Sequence, residues 1–403
     1  MRCIFTERLP QSVIDTDMHI IVNALPLTGL LTGISRYVRC LYSQIQRFPG
    51  IRVSYFVGRE TLPEMPVQAE PNLWMRRTEQ AWKLPDTVVF GGRTVQWLNF
   101  ERLLRKASRQ NHYSIYHETG FVPAALIDIP VVYTLHDLSL IKHRDKHPRE
   151  RVWFFKLFFR RRMPYAAHVI TVSEFMRNEI IEDLKIHPDA ITVIYEAPDP
   201  HFYPRSPKKL NYLLERRIWP RDYILFVGTL EPRKNIELLI TALSRMENKV
   251  PLILAGWQGW GDKHWLNEIN KLGLKKQIYI ANYVDEEALA CLYSGAHAFV
   301  YPSFYEGFGL PVLEAMACGC PVICSQVASM PEVAGDAALY CSPHDPDELA
   351  HRIDAVIEDS SLRSQLIERG IQRARQFSWQ KSAEQTINLF ASLIENHRVE
   401  QYQ

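Results

Sequence analysis

Tyr301-Pro-Ser-Phe-Tyr-Glu-Gly-Phe-Gly-Leu-Pro-Val-Leu-Glu314 is the stretch that decides the fold. The run leading into it, Ala296-His-Ala-Phe-Val-Tyr301, is apolar without alternation, as in a parallel-sheet strand buried on both faces. Gly307 and Gly309 then break the chain, and Pro311 fits the first turn of a helix over Val312-Leu-Glu-Ala-Met-Ala-Cys318. A strand, a glycine-containing turn and a helix set backbone N–H groups and the positive end of the helix dipole in front of an anion. Two carboxylates bracket the turn with seven residues between them, Glu306 in the loop and Glu314, which this reading puts in the first helical turn. There Glu314 serves dipole compensation equally well, whereas Glu306 has no such local use beside two glycines. A phosphate cradle between two acceptor-only carboxylates suits a sugar nucleotide, with amides for the diphosphate and carboxylates for hydroxyl groups.

The chain has 403 residues, too long for one ordinary core and comfortable for two. Residues 1–200 hold 26 Lys and Arg against 21 Asp and Glu, an excess of five, while the remainder is slightly acidic. A basic first half points to an anionic partner there. None of the seven cysteines has zinc-ligand spacing, and they read as reduced core thiols. Residues 1–17 carry acidic groups and lack an apolar core, so they read as an N-terminal extension and not a secretory signal. The longest uncharged run, residues 288–305, contains Gly295 and Pro302 and reads as helix end plus strand. The expected location is the cytoplasm.

Taken in order, His19–Val22 reads as the first strand, followed by a turn containing Gly29 and Gly33 and a helix from about Ile34 to Gln46. A glycine-bearing strand-to-helix turn at the start of an α/β chain is a ligand position, although two glycines there are equally often only geometry. Pro130–Leu135 reads as a strand ending in His136 and Asp137, where a histidine is either a satisfied polar residue or a site residue. Residues 142–162 hold nine basic and two acidic groups, interleaved with Trp153, Phe154, Phe155, Leu157, Phe158 and Phe159. Two readings stand: a core helix with a solvated charged side, or a basic-aromatic element at 149–162 lying on an anionic membrane surface. Nucleic-acid binding has the charge but no recognition motif and is set aside. Ser173 reads as an N-cap, and the proline-rich Glu196–Pro207 as the linker. Tyr223–Val227 restarts the alternation, and Gly228-Thr-Leu-Glu-Pro-Arg233-Lys234-Asn235 opens a helix with two cations suited to a diphosphate.

Glu306-Gly-Phe-Gly-Leu-Pro-x2-Glu314, continued by Ala315-Met-Ala-Cys-Gly-Cys-Pro-Val-Ile323, resembles the Glu-x7-Glu signature of family-4 retaining glycosyltransferases of the GT-B fold. Thr32-Gly-Ile-Ser-Arg-Tyr37, His136-Asp-Leu-Ser139, Glu231-Pro-Arg-Lys-Asn235 and Ala255-Gly-x2-Gly-Trp260 look most like bacterial mannosyltransferases of O-antigen or exopolysaccharide assembly. The resemblance covers residues 18 to about 398. It implies two Rossmann-like α/β domains facing across a cleft, an acceptor domain at 18–200 and a nucleotide-sugar-binding domain at 201–379, with a final helix, 380–403, crossing back to the first.

The same resemblance implies that Arg233, Lys234 and the amides of Gly307, Phe308, Gly309 and Leu310 hold the donor diphosphate. Glu306 would orient the sugar hydroxyls and Glu314 the ribose, while His136 would touch the sugar from the opposite domain. Gly33 would lie by the diphosphate and Val284 in the segment holding the base. Thr229 departs from the pattern, since many members carry arginine directly after this glycine; Arg233 stands in for it. The implied donor is GDP-mannose, with rhamnosyl and glucosyl donors open. The implied acceptor is a hydroxyl of a glycan or a polyprenyl-diphosphate-linked oligosaccharide at the inner membrane face. No cofactor is expected, and no metal either, since no Asp-x-Asp motif lies in a donor-site turn. The rivals are another GT-B chemistry, such as a phosphorylase or epimerase, and an inactive scaffold.

Overall fold

The computed structural model describes residues 17–29, 32–67, 78, 80, 83–261 and 264–401. The expected extension therefore lies, but for Asp17, outside the described residues, as does much of the proline-spotted stretch after Leu62.

The described residues form two sheets. The first comprises β1 (Met18–Asn23), β2 (Ile51–Phe56), β3 (Thr61–Leu62), β4 (Ile115–Glu118), β5 (Val131–Leu135), β6 (Ala166–Thr171) and β7 (Ile191–Val193). Their order is β3-β2-β1-β4-β5-β6-β7, parallel except for the β2–β3 pair. The second comprises β8 (Ile224–Val227), β9 (Leu252–Ala255), β10 (Ile278–Asn282), β11 (Ala298–Tyr301), β12 (Val322–Ser325) and β13 (Ala338–Cys341). Its order is β10-β9-β8-β11-β12-β13, parallel throughout. The unbroken apolar runs account for this burial, every residue of β5, β8, β9, β11 and β12 being buried. Strand order reverses between β1 and β4 and again between β8 and β11, and a doubly wound sheet opens a ligand crevice beyond the strand ends at such points. Two such domains facing one another make the GT-B arrangement.

The helix Trp379–Gln401 returns to the first domain, where Trp379, Ala383, Ile387 and Phe390 share a core with Tyr37, Leu41 and Ile45 of the Gly33–Ile45 helix. The six described cysteines are free and buried. No helix among the described residues is long and apolar enough to cross a membrane.

Two sequence expectations need correction. In the Arg149–Arg162 helix, Phe154, Phe155, Phe158 and Phe159 are only 2% to 7% exposed. Their i, i+1, i+4, i+5 spacing forms one stripe, wedged between Tyr133 of β5 and Trp97 of the Asp86–Gln110 helix. These rings are core, so a membrane contact through the phenylalanines of 149–162 is excluded. The helix after Gly309 also begins earlier than its proline suggested. Gly309, at φ 106°, is the N-cap of Leu310–Ala317, which moves Glu314 into the second turn. Dipole compensation is therefore not what Glu314 does.

Candidate active site

The crevice between β8 and β11 holds a cluster of buried charge, Glu231, Arg233, Lys234 and Glu306. After β8 the chain makes a tight turn, Pro232–Lys234, ended by Asn235 in the left-handed region at φ 57°. Asparagine tolerates that conformation, and its Nδ2 donates to the carbonyls of Pro302 (3.1 Å) and Pro343 (2.8 Å). The turn is thereby tied to the loop after β11. Arg233 donates through Nη1 to the Tyr305 carbonyl (2.6 Å) and pairs with Glu306 Oε2 (3.0 Å), while its Nη2 reaches Glu231 Oε1 (2.7 Å). Lys234 Nζ donates to Glu306 Oε1 (2.6 Å) and Tyr301 Oη (2.5 Å). Burial pushes the Glu306 carboxyl up, but Arg233 and Lys234 outweigh it and hold the group at about 2. Burial draws the Lys234 ammonium below its ordinary range, against the pull of Glu306. Arg233 and Lys234 balance Glu231 and Glu306, so any anion entering here would have to win the cations away from a carboxylate.

Gly307 is required by contact, since a Cβ there would lie 1.8 Å from the His136 carbonyl oxygen. Gly309 is required by its backbone, at φ 106° in the region that side chains rarely adopt. Ser329 Oγ ties the loop down by donating to the Glu306 (2.9 Å) and Phe308 (2.8 Å) carbonyls. From the first domain, Ser173 Oγ donates to the Gly307 carbonyl (2.7 Å) and also caps the Glu174–Leu184 helix. The Phe308 ring meets Tyr195, just before the linker, and Phe377, just before the final helix, and Leu310 is core. Only the backbone of these two residues is suited to a ligand.

His136 follows β5, with Nδ1 3.2 Å from Glu196 Oε1 and its ring edge-on to Tyr37 at 4.8 Å. Its Nε2 is buried without a hydrogen-bond partner, an orphan that a substrate hydroxyl would satisfy. Asp137 accepts from the Ser139 amide (2.8 Å) and so closes its own loop. Gly33 starts the first helix with open space where a Cβ would stand, so packing does not require a glycine there. Three residues on, Arg36 crosses the cleft and donates to Glu314, which is fully buried and also takes a 3.4 Å contact from Tyr293. Burial pushes Glu314 up despite Arg36.

The structure thus joins Arg233, Lys234 and Glu306 directly, and sets His136 against Gly307. It joins Glu314 to the Gly33 helix through Arg36. Val284 stands apart, buried in the loop after edge strand β10, ahead of Asp285, which caps the Glu286–Gly295 helix. Sequence reading overlooked Arg36, Glu231, Tyr301 and Glu196. Arg36 left one trace: a cation in the first turns of a helix opposes the dipole and wants a carboxylate partner. No group of three or more His, Cys, Asp or Glu able to hold a metal occurs among the described residues.

A parallel-sheet pair with cations and a glycine loop at the second switch point is the architecture of a GT-B nucleotide-sugar enzyme. Residues 31–202 match the family described as Glycosyltransferase Family 4, and residues 218–373 match Glycosyl transferases group 1. The chain is 35% identical over 394 residues to O-antigen chain mannosyltransferase B of Escherichia coli, covering 93% of this chain and 100% of that protein. Sucrose-phosphate synthase from Thermosynechococcus elongatus superposes with a TM-score of 0.73 at 21% identity, covering 94% of this chain and 99% of that one. HepE from Anabaena, solved in complex with UDP-glucose, gives 0.71 at 20% identity, covering 93% and 100%. The chain belongs to the family-4 glycosyltransferases and is a glycosyltransferase of the GT-B fold.

Proposed function

We propose that the protein is a retaining, metal-independent mannosyltransferase. It takes mannose from GDP-mannose to a hydroxyl of a glycan or polyprenyl-diphosphate-linked acceptor, in bacterial surface-polysaccharide assembly at the inner face of the plasma membrane. The observation that carries the reading is the buried Arg233–Lys234–Glu306 cluster in the β8–β11 crevice. Similarity along nearly the whole chain to a protein named for mannosyl transfer supports the choice of sugar.

As the bond from the anomeric carbon to the diphosphate breaks, Arg233, Lys234 and the Gly307–Leu310 amides take up the charge on the leaving oxygen. The acceptor oxygen bonds the same carbon on the same face, and its proton passes to the departing phosphate oxygen. Glu306 orients sugar hydroxyls, and Lys234 and Arg233 are drawn from it toward the diphosphate as that charge develops. His136 Nε2 meets the sugar from the first domain. Glu314 holds the ribose once Arg36 yields, and the Val284 loop borders the base.

The test is a transfer assay with a glycan acceptor across GDP-mannose, UDP-glucose and dTDP-rhamnose, without and with chelator. The expected result is mannosyl transfer from GDP-mannose that is indifferent to chelator and conserves anomeric configuration. Transfer only from another donor overturns the choice of sugar, a requirement for inorganic phosphate points to a phosphorylase, and neither transfer nor donor hydrolysis points to a scaffold.

A further inference from the structure

One face of the first domain lies outside the site and is built in an unusual way. The Asp86–Gln110 helix buries Phe100 and Leu104 and packs Trp97 on Phe154 of the neighbouring Arg149–Arg162 helix. Its opposite stripe runs at seven-residue steps, Val88, Val95, Arg102 and Arg109, all exposed, with Leu98 beside it and Val95 68% exposed. The stripe is thus apolar in its first half and basic in its second. Arg105 and Lys106 widen the basic half around a groove of about 590 Å³ that reaches Arg162 of the neighbouring helix. Arg160 and Arg161, in the last turn of that helix, are exposed.

Few acids answer this charge. Glu101 is shared between Arg105 (3.4 Å) and Arg162 (2.8 Å), and Asp128 takes Arg109 (3.2 Å). Among the described residues, Arg102, Lys106, Arg160 and Arg161 pair with no carboxylate; Arg102 reaches only Asn99 (3.1 Å). Trp153 of the neighbouring helix is also exposed and stands edge-on to Phe90.

We propose that this face, the outer stripe of the 86–110 helix with the basic end of the 149–162 helix, rests on an anionic phospholipid bilayer. Concentrated cations with singly spaced aliphatic side chains beside them match a headgroup layer, where the charge is attracted to anionic lipid and the apolar tips settle at the interface. Neither Val88 nor Val95 lines the groove, so the apolar half offers a partner helix no seat. The buried phenylalanines brace the face from beneath. The inference shares with the proposed function only the lipid-borne acceptor, and does not depend on the donor.

The experiment is sedimentation of the whole protein with vesicles of phosphatidylcholine, with and without phosphatidylglycerol. Wild type should partition onto phosphatidylglycerol-containing vesicles at low salt and release as salt rises. Arg102→Glu/Lys106→Glu should lower that partition by roughly 30-fold or more. Val95→Ser/Leu98→Ser should weaken the part that survives at higher salt. Both variants should transfer sugar to a short soluble acceptor at the wild-type rate, which keeps failure here distinct from failure of the enzymatic reading. No preference of wild type for phosphatidylglycerol, or partition of both variants equal to wild type, overturns the proposal. Release by inorganic phosphate well beyond chloride of equal ionic strength also overturns it, in favour of a soluble anion in the groove.

Discussion

Glu306 is the counter-charge of Arg233 and Lys234, and in the proposed reaction it is also the ligand of the sugar hydroxyls. Glu306→Ala should lower the transfer rate by about two orders of magnitude or more while the fold persists, because transition-state contacts are lost at a centre that two loops already hold. A folded variant with wild-type turnover would remove Glu306 from the chemistry. Glu118, at the end of β4 by the first switch point, behaves oppositely. Burial pushes its carboxyl up to about 7, against hydrogen bonds from Tyr116, Asn23 and the Gly120 amide. A carboxyl raised in the folded state withdraws stability as pH climbs from its ordinary value of 4.5 to about 7. Glu118→Gln should therefore raise Tm at pH 8 and leave it nearly unchanged at pH 4.5; an equal shift at both values would contradict this. The Glu306 loop was legible because its glycines, proline and carboxylate lie within one short segment. The Arg36–Glu314 pair was not, because its partners are 278 residues apart and no local pattern joins them.

Elements were legible as strands and helices wherever periodicity was strong, as in the buried runs of β8, β9 and β11. What covers each face was not. The phenylalanines of 149–162 gave a stripe without naming its neighbour, so sheet core and membrane fitted equally well until Trp97 and Tyr133 were seen against them. Phe155 stacks on Phe159 at 4.2 Å and is buried. Phe155→Ala should cost about 3–5 kcal/mol of stability through the cavity it leaves, with or without lipid. Denaturant unfolding measures this, and a loss below about 1 kcal/mol would show the ring is not core.

At the scale of the whole molecule, the two domains are held together by contacts from several elements. Arg36 reaches Glu314 from the first helix. Glu332 accepts from the amides of Glu174 (2.7 Å) and Phe175 (2.9 Å), capping a helix of the other domain. Tyr305 enters the first domain, donating to Glu179 and accepting from the Leu138 amide (3.2 Å). Arg36→Ala leaves Glu314 buried and unpaired, and should cost roughly 3–5 kcal/mol. Adding Glu314→Gln should recover much of that, so strictly additive losses in the double variant would show that the pair is not coupled. The two α/β halves were legible in the alternation and the GT-B plan in the family resemblance of the motifs, whereas the closeness of the domains depends on side chains from distant segments.

The proposed reaction stands or falls on Lys234, with Arg233, receiving the nucleotide diphosphate in the β8–β11 crevice. Calorimetric titration of GDP into wild type and Lys234→Ala tests it most directly. Loss of one charge-assisted contact should weaken binding by about 10- to 150-fold, equivalent to roughly 1.5–3 kcal/mol, in a variant with an unchanged circular dichroism spectrum. Equal affinity in the two proteins would contradict the placement of the diphosphate and the reaction built on it.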